Sequence, residues 1–283
     1  MHRLIMLGII SFFAVTTQVC RASSAEENGW KLSSQCWTWR NFTFFETVDI
    51  LHSMNVKYIE VYEGQPLGGG LKEKMGINMS AAAQKKVLAT VKEKGMKIIN
   101  FGVTKADRKH FQWAKSMGIE TIVAEPAIGN MAAVDALCHE FNIRVALHNH
   151  PKPSRYWNPD TVLKACEGRS NMIGACADTG HWARSGLVPL DCIKKLKGRI
   201  ISLHFKDLNE FGVKKSHDVP WGTGICNVDG ILRELQAQNF KGVFSMEYEK
   251  ADADLKDNAQ KCVTWFNQWS DKRKKPDGKP DKK

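Results

Sequence analysis

The sequence is short of the patterns by which several function classes are recognised. Its eight cysteines include no CxxC pair and fall at irregular intervals, which excludes a zinc ribbon and a regular disulfide framework. A GxGxxG turn is missing. The triplet Gly68-Gly69-Gly70 lacks that spacing and follows a second strand, so it reads as a flexible loop rather than a phosphate cradle. No internal repeat and no interdomain linker divides the chain. No stripe of Lys and Arg alternates with aromatics, although the net charge is +11, and nucleic-acid binding is disfavoured. Part of that excess lies in "DKRKKPDGKPDKK" (271–283), with seven Lys/Arg against three Asp and no apolar residue. Such a composition predicts a disordered basic tail.

Long apolar runs are equally scarce. The one at Leu4–Val15 follows Arg3 and precedes the small residues Ala22, Ser23, Ser24 and Ala25. That is the order of a secretory signal peptide, and the run is shorter than the roughly 20 residues of a spanning helix. Cleavage is expected after Ala25. The expected organisation is a signal peptide at 1–25, one domain at 26–270 and the tail at 271–283, in an exported (periplasmic or secreted) protein without a membrane span. Thr17-Gln18-Val19 before Cys20 is a poor lipobox. Loss of Cys20 leaves seven cysteines, of which Cys166, Cys176 and Cys192 lie in apolar segments as small hydrophobes.

What is present is an alternation. Strand-like apolar runs occur at 31–39, 57–64, 96–103, 120–126, 144–150, 172–181, 200–207 and 242–249. Amphipathic helical patterns separate them, at 43–55, 80–94, 106–117, 131–142, 159–167, 189–197, 228–238 and 254–269. Gly95 and Gly118 fall where helix C-caps belong, and Pro159 and Pro189 at helix starts. Eight strand–helix units in this length predict an α/β fold, a single (β/α)8 TIM barrel.

In such barrels the carboxyl ends of the strands surround the open mouth. Here those ends carry Glu60 and Glu63, Glu125, His148 and His150, Asp178 and His181, His204, Lys206 and Asp207, and Glu247 and Glu249. Strand side chains alternate faces, so His148 and His150 point the same way. Converging acids and imidazoles need a compensating cation. His148, Asp178, His204 and Glu247 come from the fifth to eighth strand-like runs, neighbours in a closed barrel. Two imidazoles and two carboxylates suit one Mn²⁺, Zn²⁺, Co²⁺ or Fe²⁺ ion better than Ca²⁺ or Mg²⁺. Lys206 shares His204's face and either stabilises an enolate oxygen or pairs with a carboxylate. Glu60 is a candidate contact for sugar hydroxyls. In the Gly-rich loop "SHDVPWGTG" (216–224), His217, Asp218 and Trp221 are candidate pocket walls, with glycines allowing close backbone approach. Trp37, Trp39, Tyr156, Trp157 and Trp182 fall near strand ends, as sugar platforms or as loop anchors.

The motifs "ACADTGHW", "SLHFKDL", "VPWGTG" and "SMEYE" resemble those of the xylose isomerase-like barrel superfamily of sugar phosphate isomerases and epimerases, and most resemble an exported bacterial branch. The resemblance covers nearly the whole chain beyond residue 25. It implies a metal held by a strand-five Glu and by the residues matching Asp178, His204 and Glu247, with His181 on the substrate. The sequence departs at strand five, where relatives commonly read Glu-Asn-His and this chain has His148-Asn149-His150. The usual pair of proton-moving carboxylates is thereby broken, and Glu125 becomes the candidate to replace the missing one, as ligand or base. His150 and His181 are then expected to touch substrate, with Trp182 beside them.

The expected activity is metal-dependent proton abstraction next to a carbonyl of a non-phosphorylated sugar or keto-sugar, with Glu247 or Glu125 as base. Returning the proton elsewhere isomerises or epimerises. Expelling a β-substituent, as in relatives that cleave 3-keto-glycosides, makes the enzyme a lyase. A barrel cutting DNA at abasic sites and a non-catalytic carbohydrate-binding barrel are the alternatives from other classes.

Overall fold

The computed structural model describes residues 23–273. Eight parallel strands close into a barrel: β1 (Trp30–Gln35), β2 (Tyr58–Val61), β5 (Lys97–Thr104), β6 (Thr121–Ala124), β7 (Arg144–His148), β8 (Ile173–Asp178), β9 (Ile200–Phe205) and β10 (Gly242–Met246). β1 closes the ring by pairing with both β2 and β10. Helices α2 (Phe44–Ser53), α3 (Ala81–Glu93), α4 (Arg108–Ser116), α5 (Met131–Phe141), α6 (Pro159–Cys166), α8 (Pro189–Lys195), α9 (Val228–Ala237) and α10 (Leu255–Asp271) occupy the eight expected stretches. The fold is the expected (β/α)8 barrel.

Local chemistry sets the boundaries. Thr43 begins α2 with a capping box, accepting from Glu46 N while the Glu46 carboxylate accepts from Thr43 N. Ser80 and Asp107 accept from the third backbone N–H of α3 and α4. Gly95 and Gly118 end those helices at φ +66° and +70°, which glycine adopts without Cβ strain. The strands are covered on both faces, so β8 and β10 are buried at every position. On the outside, Trp30, Phe244, Phe266 and Trp269 pack ring against ring and seat α10 on β1 and β10. Val123, Ala146 and Cys176 form a small separate cluster with Ile201. By strand alternation they sit two residues below Glu125, His148 and Asp178 and floor the mouth.

Several local expectations change. Gly68-Gly69-Gly70 is the turn of an antiparallel hairpin, β3 (Pro66–Gly68) and β4 (Leu71–Lys74), with all three glycines at positive φ. The run 172–181 stops being a strand at Asp178, whose side chain caps a short helix α7 (Thr179–Arg184). Residues 36–39 form a 3₁₀ turn rather than the end of β1. Residues 1–22 and 274–283, with most of the expected signal peptide and tail, lie outside the described residues. The boundary expected at Ala25 falls inside α1 (Ser24–Glu27), a capped turn whose Ala25 is buried and whose Ser24 Oγ donates to Asp271 Oδ1 at 2.6 Å. The boundary expected at 270 falls inside α10, which runs through Asp271. All seven described cysteines are buried free thiols. Among the described residues, no helix is long and apolar enough to cross a membrane.

Candidate metal centre and its pocket

Four strand ends converge at the mouth. His148 closes β7, Asp178 closes β8, His204 lies near the end of β9, and Glu247 follows β10. One donor atom from each lies within 4.8 Å of all the others, and all four residues are buried. His148 Nε2 is 3.6 Å from Asp178 Oδ2, and His204 Nδ1 is 3.9 Å from that oxygen and 3.0 Å from Glu247 Oε2.

The opposite edge of each imidazole is occupied. His148 Nδ1 donates to Glu125 Oε1 at 3.1 Å, and His204 Nε2 donates to Glu60 Oε1 at 2.7 Å. A carboxylate behind a ligating histidine fixes its tautomer and turns the free nitrogen toward the metal. The inward atoms His148 Nε2, His204 Nδ1 and Asp178 Oδ2 are all buried and face one another, Glu247 Oε2 and Lys206 Nζ. Imidazole and carboxylate atoms gathered this closely out of water suit a shared divalent cation. Asp178 divides its work: Oδ1 accepts from His181 N at 2.7 Å as the cap of α7, leaving Oδ2 for the centre. The residues present therefore fit a four-ligand ion of the kind that accepts mixed imidazole and carboxylate donors.

Charge in the cluster is balanced by Lys206. Its fully buried ammonium stands 2.9 Å from Asp178 Oδ2, 2.8 Å from Glu247 Oε2 and 3.2 Å from Glu249 Oε2. Burial opposes that charge, but the three carboxylates outweigh it and push the amine well above its usual value. Burial likewise opposes charge on Asp178, where His181, Lys206 and His148 prevail and hold it well down. Glu247 is held down against burial by His204 and Lys206. Burial also disfavours protonated His148 and His204. Asp178 and Glu125 raise the first, while Cys176, Glu247 and Glu60 push the second well up.

Above the ligands is a cavity of about 500 Å³, walled by Gln35, Trp37, Tyr62, Glu63, Gly102 and Val103 on one side and by His148, His150, His181, Glu247 and Glu249 on the other. Trp37 is 42 % exposed and meets Tyr62 edge to face at 5.2 Å. His150 Nδ1 hydrogen-bonds Glu125 Oε1, the same oxygen that holds His148. Burial works against Glu125, but its bonds to His148 and His150 bring the carboxyl down to about 2. His181 is pushed well below its usual value, by burial first and by Lys206 and His148 against the opposing Asp178. Its Nδ1 accepts from Arg184 Nη1 at 3.1 Å, so the neutral ring carries its proton on Nε2.

Five expected substrate contacts lie elsewhere. Glu60 is fully buried, with its carboxylate shared among His204, Gln35, Asn100 and Ser245, so it grips a ligand instead of a sugar. Trp221 donates to Phe205 O and packs on Phe205 and Phe266 in the outer core. Trp182 is buried off the pocket. Asp218 is enclosed, facing Arg184 at 3.4 Å and accepting from Glu249 N. His217 is exposed, and its N–H donates to Asn209 Oδ1. The close approach that Gly224 allows is to Asp207 and that of Gly222 is to Trp265, while Asp207 Oδ2 accepts from both N–H groups at 3.0 and 2.9 Å. Trp39 and Tyr156 are buried loop anchors, donating to Ser34 Oγ and Pro126 O. Trp157 lies under the Lys152 ammonium.

Gln35, Tyr62 and Arg184 were not singled out from the sequence. Gln35 and Tyr62 escape a search for ionisable strand ends. Arg184 stands three residues beyond His181, on one helix face with it, a relation hidden while 172–181 reads as strand.

With this geometry in place, the relatives are informative. An uncharacterized protein, y4fM, of Sinorhizobium fredii is 27% identical over 138 residues, which is 47% of this chain and 42% of that protein. The chain thus spans about two fifths of that curated relative's length. A crystal structure of a putative uncharacterized protein from Parabacteroides distasonis is 31% identical with a TM-score of 0.69, covering 85% of this chain and 99% of that one. At 13–14% identity the fold recurs in an IOLI protein with a zinc atom (TM-score 0.67, 86% and 98% covered) and a D-psicose 3-epimerase with D-fructose (0.66, 85% and 99%). The family described as the xylose isomerase-like TIM barrel matches residues 48–269, and this chain belongs to it.

Proposed function

We propose that the protein is a divalent-metal-dependent enzyme that moves a proton at the carbon next to a carbonyl of a non-phosphorylated sugar or keto-sugar. The observation that supports this is the convergence of four buried donor residues, two of them imidazoles held from behind by carboxylates. His148, Asp178, His204 and Glu247 would hold the ion. When bound, Mn²⁺, Zn²⁺, Co²⁺ or Fe²⁺ supplies the Lewis acidity that polarises a carbonyl and acidifies the neighbouring C–H.

The chain's own groups then have distinct tasks. Glu247, ionised and on the cavity wall, takes the carbon-bound proton. Lys206 keeps that carboxylate charged and in place. His181 donates from Nε2 to a substrate oxygen, because Arg184 occupies its other nitrogen. Trp37 and Tyr62 offer the apolar side of the pocket to a sugar ring. His150 reaches the cavity from β7, three strands round the ring from Glu247, with Glu125 behind it. The carboxylate that relatives carry at position 148 is absent here, and His150, on the cavity wall, takes over the return of a proton to carbon, giving isomerisation or epimerisation. Glu125 serves as the holder of two imidazoles rather than as the base, since its low-lying carboxyl lines a different cavity.

Elimination from a keto-glycoside is a second outcome of the same proton removal. The His150–Glu125 pair favours it, because an imidazole can carry the proton that a leaving oxygen needs. Export is part of the proposal and rests on the order of residues 3–25. Because Ser23 caps α1 and Ala25 is buried, the cut is better placed before Ser23 than after Ala25, and mass spectrometry of the exported N-terminus reads it directly.

The central test is incubation with keto-sugars and keto-glycosides in D₂O, with metal content measured alongside. Deuterium is expected next to the carbonyl, and Glu247→Gln abolishes its uptake while retaining the fold. Protein that binds no divalent metal, or that is inert with Mn²⁺ and Zn²⁺ supplied, overturns the proposal.

A further inference from the structure

A second cavity, of about 580 Å³, adjoins the metal pocket. It opens between the β5–α4 and β6–α5 connections, and Val103 and His150 line both spaces. Its remaining walls are mainly aliphatic: Ala106, Pro126, Ala133, Val134 and Leu137. Two of the charged groups at its edge are already engaged. Asp107 caps α4 and holds His110 Nδ1 at 2.6 Å, and Arg108 is paired through both guanidinium nitrogens with Glu140. Glu125, also on the lining, is taken up by His148 and His150, which leaves Lys105 at the rim with the uncharged Thr104 and Asn130. A free monosaccharide filling the metal pocket would leave this space to water against apolar walls, which is unfavourable.

We infer that the enzyme takes a two-part ligand: a sugar in the metal pocket joined, past His150, to an apolar group of aryl size in the second cavity. This deepens the proposed function and relies on that reading for which end of the ligand meets the metal. A glycoside is the simplest molecule of this form, because its glycosidic oxygen joins the polar and apolar parts at the point where the cavities meet. The 580 Å³ space is ample for a single aromatic ring.

The experiment is calorimetric titration of the metal-loaded, intact protein with phenyl β-D-glucoside and methyl β-D-glucoside, which differ only in the apolar part. Phenyl glucoside is expected to bind about tenfold more tightly, from burial of the ring. Ala133→Trp fills the cavity from α5 without touching the metal pocket and is expected to erase that difference, leaving methyl glucoside unchanged. Ala106→Phe, on another wall, does the same should Ala133→Trp fail to fold. Equal affinities, a preference that survives both variants, or failure of phenyl glucoside to bind each overturn the inference. Binding needs no turnover, so absent deuterium exchange with an intact phenyl preference counts against the proposed reaction and not against the second cavity.

Discussion

The two halves of the barrel do different work on the same centre. The strands β7 to β10 carry the four donor residues at their ends, whereas β1, β2 and β5, with the residue just past β6, carry the groups that hold donors in place or brace those that do. Glu60 and Glu125 from this second set each take the outer nitrogen of a histidine from the first, and Gln35 and Asn100 hold Glu60. The difference teaches that an imidazole pair is made into a metal site from behind. A strand-end histidine with both nitrogens free would choose between water, a proton and a metal. With one nitrogen held, it points a lone pair at a fixed place.

The sharpest way to break this contrast is to remove a donor. Asp178→Ala should abolish metal binding in equilibrium dialysis, and should also lower the melting temperature by stripping Lys206 of a buried counter-charge and α7 of its cap. Next come the holders. Glu60→Gln and Glu125→Gln should weaken metal affinity by about 10–100-fold each. Glu60→Gln should be the worse of the two because its site is wholly enclosed. Equal loss from a holder and a donor would erase the distinction between the halves.

Proton competition gives a graded version. His148 and His204 are raised in the metal-free protein, so an entering ion must displace those protons, and apparent affinity should fall as pH drops from about 8 to 6. The stability consequence has the opposite sense. A histidine raised on folding contributes stability that is fully present below its unfolded value of about 6.5 and is lost as pH rises through the folded value. Metal-free protein should therefore melt at lower temperature as pH rises, and saturating metal should reverse the trend. A melting temperature that climbs with pH in metal-free protein would contradict this charge arrangement.

The smallest effect is reserved for Asp218, in the outer layer of the same network. Burial raises its carboxyl to about 7, with Glu249 assisting and with Lys206 and Arg184 opposing. Above about pH 4 an unfolded chain releases that proton more readily, so folded stability declines between about pH 4 and 7. Asp218→Asn removes this penalty. Relative to wild type in urea titrations, it should be favoured by about 2 kcal/mol more at alkaline than at acid pH.

Much of this was open to reading in the sequence, for physical reasons that differ by element. Strands covered on both faces appear as unbroken apolar runs, so an ionisable group at the end of one stands out, as Asp178, His204 and Glu247 do. Glycines at helix ends declare backbone conformations that other residues avoid, and Gly95 and Gly118 sit where expected. Direction was harder. Glu60 lies near the end of β2, but its carboxylate is taken up by Gln35, Asn100, His204 and Ser245, so it sits beneath the mouth instead of opening into it. Arg184 joins the site because Asp178 ends the strand and starts α7, which puts Arg184 one turn from His181. Trp221 in the 216–224 loop reads as a pocket wall because glycines follow it, yet what Gly222 and Gly224 admit is Trp265 and Asp207.

Asp178 has a consequence for anyone who wishes to redesign the centre. One oxygen caps α7, the other faces Lys206 and the proposed ion, and a single substitution cannot alter the second without damaging the first. Position 178 is therefore closed to tuning. His148 is the adjustable corner: it ends its strand and caps nothing, so a substitution there leaves the α7 cap in place. Metal preference and proton handling in this barrel are adjustable at β7, with β8 left as the fixed reference from which the rest of the site is measured.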